Sequence, residues 1–192
     1  MSKWLKFGIN CVIVLGRIGI VFAYVLIILP LGNFYPAFKG VLPQHILHSD
    51  EFLLLPGKHT VTAAAMQSFP NWPYAILILI GTAILGWALI KHLRALIVIL
   101  TNLREADYFA ITTVSALRQL FIARIAMIVS DVFLASGNQL TRNWFYVVNN
   151  GGLMGATWST AISDFWVSIF FGVIYVAYRY TLTLKTENDL TI

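Results

Sequence analysis

WPYAILILIGTAILGWALI, residues 72–90, runs for nineteen residues without one charged side chain. The hydrocarbon core of a bilayer is about 30 Å thick and takes about 20 apolar helical residues to cross, so this stretch reads as a membrane-spanning helix. Three further stretches of spanning length flank it, residues 9–31, 114–136 and 161–182, each bounded by polar, Pro, Gly or aromatic residues. The whole chain agrees with this reading. Its 192 residues are 59% hydrophobic and only 11% charged, and its mean hydropathy is +0.79, whereas soluble domains carry close to a quarter charged residues. The expected fold is an all-α membrane protein, a single domain over residues 1–192. It is a four-transmembrane-helix bundle with an outer loop cap in which a short β-hairpin fits.

An even number of spans puts both ends of the chain on one side. Lys3, Lys6, Lys91, Arg94, Arg104, Arg118, Arg179 and Lys185 fall on the side of the termini and the central loop, against Lys39, Lys58 and Arg142 on the other. Positive charge is retained on the cytoplasmic side, so the expected setting is a bacterial cell membrane with both termini cytoplasmic. The net charge of +5 then reads as a topology signal and as attraction to anionic lipid, not as direct nucleic-acid binding. Trp4, Trp72, Tyr74, Trp144, Trp166, Tyr178 and Tyr180 lie near the expected span ends, where amphipathic rings favour the interface. After the charged start, the apolar run continues through Ile28 with no clear small-x-small cleavage site, so the first span is expected to be retained.

The first outer loop, residues 32–71, holds EFLLL and HTVTAAAM on either side of Pro56 and Gly57, a pattern that suits a hairpin or a small cap. In the second, Asn149, Asn150, Gly151 and Gly152 give a strong turn signal. The central segment changes character after Leu100. Phe109, Ile111, Val114, Leu117 and Leu120 lay an apolar stripe along a helix that begins outside the membrane, with Asp107 or Thr112 available as its cap.

Three ionisable residues sit within expected spans: Arg17 in the first, Arg124 and Asp131 in the third. Each costs roughly 2.5 to 3.5 kcal/mol at a helix centre, so such residues face the bundle interior or snorkel. Arg124 and Asp131 stand two turns apart on one face, and Arg17 reaches Asp131 only where the first and third spans pack together. Gly16 and Gly19 beside Arg17 allow a neighbouring helix to come close. Two readings stand side by side: a charge pair that gates a state change or lines a polar path, and a structural pair that fixes helix register. Asp164 is expected to cap the fourth helix or to meet outer-side water.

Other chemistry finds less support. His45, His48, Asp50, Glu51 and His59 cluster in the first outer loop, but no second spaced pair completes a metal site, and none is expected. A lone Cys11 reads as a small packing residue. The chain lacks a Ser nucleophile elbow, a His-Glu-x-x-His helix, a phosphate-cradling Gly loop and a Cys-x-x-Cys pair. No catalytic residue, enzyme activity or cofactor is expected.

NLREADYFAITTVSALRQL, residues 102–120, and the terminal LKTENDLTI, residues 184–192, resemble the bacterial four-span membrane family catalogued as domain of unknown function 2975. Phe109, Val114, Leu117 and Arg118 carry the resemblance in the centre, and residues 187–192 carry it in the tail. The chain departs from the family pattern at Ala106 and Tyr108, where members often have Gly and Pro, and at Thr181, where Gly is frequent. Members are often encoded beside a small helix-turn-helix regulator, so the resemblance implies a cytoplasmic protein partner. Glu187 and Asp189, followed by apolar Leu190 and Ile192, offer acidic and apolar contacts to a basic partner, together with Phe109 and Arg118. The expected function is that of a membrane regulatory or signalling protein that sequesters such a regulator. The alternative is a small transporter, a channel-like protein or an immunity-type membrane protein, with a homo-oligomer left open in either case.

Overall fold

The computed structural model describes residues 2–57, 60–108 and 110–189, Asp189 by its backbone alone. Helix α1, Lys3–Ile28, starts at Ser2, whose hydroxyl accepts from the Leu5 amide. Pro30 enters a 3-10 turn, Leu29–Asn33, which leads into α2, Phe34–Phe38, so that helical structure continues almost unbroken to Phe38. Short α3, Leu42–His48, strand β1, Phe52–Leu54, and α4, Ala63–Ser68, follow. Two long helices come next, α5, Asn71–Arg104, and α6, Ile111–Phe145. Strand β2, Val147–Asn149, a 3-10 turn, Gly152–Gly155, and α7, Trp158–Asp189, complete the chain. Four of these helical segments are long and apolar enough to cross a membrane. The protein is an all-α four-helix membrane bundle with a small two-stranded sheet at one end.

Packing follows chain order. α1 lies on α5, α5 on α6, and α6 on α7. Small residues set the closest approaches: a Cβ at Gly81 would lie 2.7 Å from Leu134 Cγ, so α5 and α6 meet there with glycine alone between them. Ser130 adds a hydroxyl that donates to the Gly81 carbonyl at 2.8 Å, tying α6 to the backbone of α5 in its buried core. Gly16 and Gly19 lie against Ile97 and Leu93 of α5, the close approach that small residues in the first span allow.

At the cap end, Leu42 and Ile46 of α3 pack into a core with Phe69, Tyr74, Phe145 and Val147. The EFLLL segment forms β1, and its partner is β2 from the other outer segment, antiparallel, with Phe52 opposite Asn149 and Leu54 opposite Val147. HTVTAAAM contributes instead to α4, whose start is capped by the Thr62 hydroxyl. The sheet therefore stitches the two outer segments together. Tyr74 is buried in this cap core and the Trp144 indole donates to Ser68, so both rings pack into the cap.

The turn between α5 and α6 closes with two backbone bonds, from the Asp107 amide to Asn102 and from the Ala106 amide to Leu103, the pattern of a Schellman motif. Asn102 Nδ2 also donates to the hydroxyls of Thr112 and Thr113 at 2.9 and 2.8 Å, clamping one helix to the next. Neither Asp107 nor Thr112 caps α6, because Ala110 occupies that position and Thr112 is already engaged by Asn102. Ala106 has φ +61°, a left-handed conformation that costs an L-residue about 1 kcal/mol or more. Ala106→Gly is expected to raise stability by about 1 kcal/mol, measured by unfolding in detergent, and an unchanged or lowered midpoint would contradict this turn geometry.

Candidate functional site

The cross-contacts between helices put all four on one scale of depth. Arg104 donates to the Asn10 side chain and Gly86 sits against Ile27, which sets α1 against α5. Asn102 meets Thr113 and Gly81 meets Leu134, which sets α6 against α5. Gly172 lies against Phe121, and the Tyr178 hydroxyl donates to the Tyr108 carbonyl, which sets α7. On this scale the apolar windows 9–31, 114–136 and 161–182 coincide, and the part of α5 that lies beside them is residues 81–102. The window 72–90 is displaced toward the cap. A run of ALIVIL at residues 95–100 supplies the missing apolar length, beyond the point where Lys91 ends the uncharged stretch.

Lys91, His92 and Arg94 thereby join Arg124, Asp131 and Asp164 at the depth of the apolar windows. Lys91 places its ammonium over the Trp87 ring, 5.9 Å from the centroid, and Arg94 donates to the Tyr24 hydroxyl at 3.1 Å. Aromatic faces and hydroxyls are suitable partners for cations away from water.

The densest group lies between α5, α6 and α7. Arg124 Nη1 is 3.8 Å from Asp164 Oδ1, with the two side chains 22% and 25% exposed. The guanidinium also rests on the Phe171 ring at 5.3 Å, and His92 meets the same ring edge-on at 6.2 Å. Phe171 thus sits between an imidazole of α5 and a guanidinium of α6. Asp131 is 5% exposed, two turns further toward the cap on the same helix, and its carboxyl faces that of Asp164 closely enough to interact with it. Three buried polar atoms in this group, His92 Nδ1, Arg124 Nε and Asp131 Oδ2, have no hydrogen-bond partner among the described residues. Buried polar atoms are nearly always paired, so this concentration makes the group the candidate site of the bundle.

The residues expected from sequence are distributed as follows. Arg124 and Asp131 belong to the cluster. Arg17 does not: it is exposed on α1, which packs on α5. Asp164 does not cap the fourth helix, since α7 starts at Trp158, with Thr157 and Thr160 bonding reciprocally at its first turn. Arg118 is exposed on α6 near the α5–α6 turn, and Glu187 is exposed near the end of α7. Phe109, Leu190 and Ile192 lie outside the described residues, as does the side chain of Asp189. His45 and His48 share the exposed side of α3, His59 lies outside the described residues, and no group of three metal-ligating side chains occurs among the described residues. His92 and Phe171 escaped the sequence reading. The signal for His92 was the apolar run that resumes after it.

No protein-family model matches this chain, and no curated protein or solved structure is significantly similar to it.

Proposed function

We propose that the chain is a multi-pass regulatory protein of a bacterial cell membrane, with both termini cytoplasmic, that holds a small helix-turn-helix regulator against its inner face. Membership of the family catalogued as domain of unknown function 2975 is part of this proposal. The observation that carries it is the length of α7. Tyr178 meets the α5–α6 turn, yet the helix continues to Asp189, about 16 Å further at 1.5 Å per residue. Tyr180 and Leu184 are 65% and 44% exposed on this arm, and with Glu187 they follow the i, i+4, i+7 spacing by which a helix enters a partner's groove. Arg118 of α6 is exposed at the same end of the bundle.

The charge balance supports the orientation after Lys91 and Arg94 are set aside for their depth. Among the described residues, Lys3, Lys6, Arg104, Arg118, Arg179 and Lys185 remain at the arm end, against Lys39 and Arg142 at the cap end. Through α7, the polar cluster connects to the arm: a change in how Asp164 meets Arg124 moves a rigid helix whose far end is the docking surface.

A photo-crosslinking residue at position 184, introduced in living cells, tests this reading. The expected product is one discrete adduct with a small cytoplasmic protein, abolished by Tyr180→Glu. Adducts with lipid or with the chain itself alone would refute it.

A further inference from the structure

Asn10, Arg17 and Tyr24 stand seven residues apart along α1 and so share one side of it. The outer two each accept from a cation of α5: Arg104 Nη1 donates to Asn10 Oδ1 at 3.0 Å, and Arg94 Nη2 to the Tyr24 hydroxyl at 3.1 Å. Arg17, between them, is exposed and has no side-chain partner among the described residues. This side of α1 therefore borders the same face of α5 along its length.

Across α5 the polar face continues. Arg94 is exposed and, with Val98 of α5 and Thr112, Ser115 and Gln119 of α6, lines a cavity of about 250 Å³ in the crease between the two helices. Thr112, Ser115 and Gln119 are all exposed and follow the i, i+3, i+7 spacing of one side of a helix. α7 packs elsewhere: its Phe171 meets His92, which lies two residues from Arg94 and so about 200° around α5. The face formed by α1, α5 and α6 is thus left open to the membrane.

Hydrocarbon is a poor neighbour for such a face. Cations near helix ends escape it by reaching out to the interface. Arg94 does not: Tyr24 is rooted between Gly19, which meets Leu93, and Ile27, which meets Gly86, so the guanidinium is tied sideways to α1 and not drawn out to the arm end. The open groups are donors above all, two guanidiniums, the Ser115 and Thr112 hydroxyls and the Gln119 amide. No carboxylate lines the cavity, and Glu105, in the α5–α6 turn, is taken up by Arg104 at 3.1 Å.

We propose that this face docks a transmembrane helix of another membrane protein, one that carries a glutamate or aspartate near mid-membrane, with that carboxylate between Arg17 and Arg94 and the helix lying over α5. Charge complementarity selects the partner: a guanidinium recognises a carboxylate through paired N–H groups, and in an apolar medium the pair replaces two isolated charges. Hydroxyls and amides across the contact add hydrogen bonds between helices. A second copy of the chain does not supply the acid, because Asp131 is buried and Asp164 is held by Arg124 at 3.8 Å. The contact lies in the plane of the membrane and does not depend on the cytoplasmic docking arm.

The probe is a synthetic polyleucine transmembrane peptide with one central Glu, combined with the full-length protein in phosphatidylcholine vesicles at neutral pH. Association is read by energy transfer from a donor on the protein to an acceptor on the peptide, with Gln and Leu peptides as comparisons. The Glu peptide is expected to associate more tightly than either by about tenfold or more, and Arg17→Leu combined with Arg94→Leu to remove that preference. Arg17→Leu alone alters an exposed side chain without a partner. It is expected to leave the unfolding midpoint unchanged and still to weaken the Glu peptide by about threefold or more. Equal association of the three peptides, or a preference for Glu that either variant leaves intact, would overturn the proposal. So would self-association of the chain through this face, seen as energy transfer between its own copies that the two substitutions abolish.

Discussion

Arg124→Leu is expected to lower the stability of the purified protein by about 2 to 3 kcal/mol, although it replaces a charge with an apolar side chain at the depth of the membrane. On insertion scales alone the substitution is favourable. The opposite outcome is expected because Arg124 is the cation beside two carboxyls, 3.8 Å from Asp164 and within electrostatic range of Asp131. Its loss leaves both acids without a positive partner and removes the cation from the Phe171 face. Exposure of about a quarter on each side of the Arg124–Asp164 pair places the expected loss at the lower end of the range for buried pairs.

The partner variants separate charge from packing. Asp164→Asn in the Arg124→Leu background is expected to recover part of the loss, since it removes one of the two unpaired acids. Unfolding in mixed detergent reads both. If Arg124→Leu is as stable as the unaltered protein, Arg124 is a snorkelling surface residue, and the cluster is no centre of the bundle's energetics.

The bilayer's demand for long apolar helices made most of this fold legible in sequence. Four runs identified four helices, and even the cap was announced by Pro and Gly punctuation between short segments. Pairing between distant loops was not legible: nothing in EFLLL distinguishes a partner four residues away from one near residue 148, and only the packing of α6 against the cap brings the two together. Lys91 does not end the apolar length of α5, which resumes at residues 95–100. Lys91 and Arg94 are tolerated where they lie because Trp87 and Tyr24 meet them, a side-chain arrangement that a hydropathy profile does not contain.

The same limit applies to the cluster. Arg124 and Asp131 stood out as charges in an apolar run, but the partner that matters for Arg124 is Asp164, on another helix and forty residues later in the chain. Arg17 drew attention by the same rule and takes no part, since nothing in its own neighbourhood says which helix its face meets. Ala106 is the converse case. Its backbone is left-handed, a local cost to an L-residue that no composition or hydropathy pattern reveals.

The central claim is that four helices cross the membrane together and that the α5 segment 81–102, with Lys91, His92 and Arg94, crosses with them. Single cysteines placed at exposed positions of α5, in a Cys11→Ser background, measure this directly through labelling by a membrane-impermeant maleimide in open membrane fragments. Trp72, Ile76, Trp87 and Val98 are all exposed on the protein surface, so only lipid distinguishes them. Cysteines at 72 and 76 are expected to label fully and those at 87 and 98 to resist until detergent is added. Labelling at 98 together with protection at 76 would contradict the account and return the span to residues 72–90.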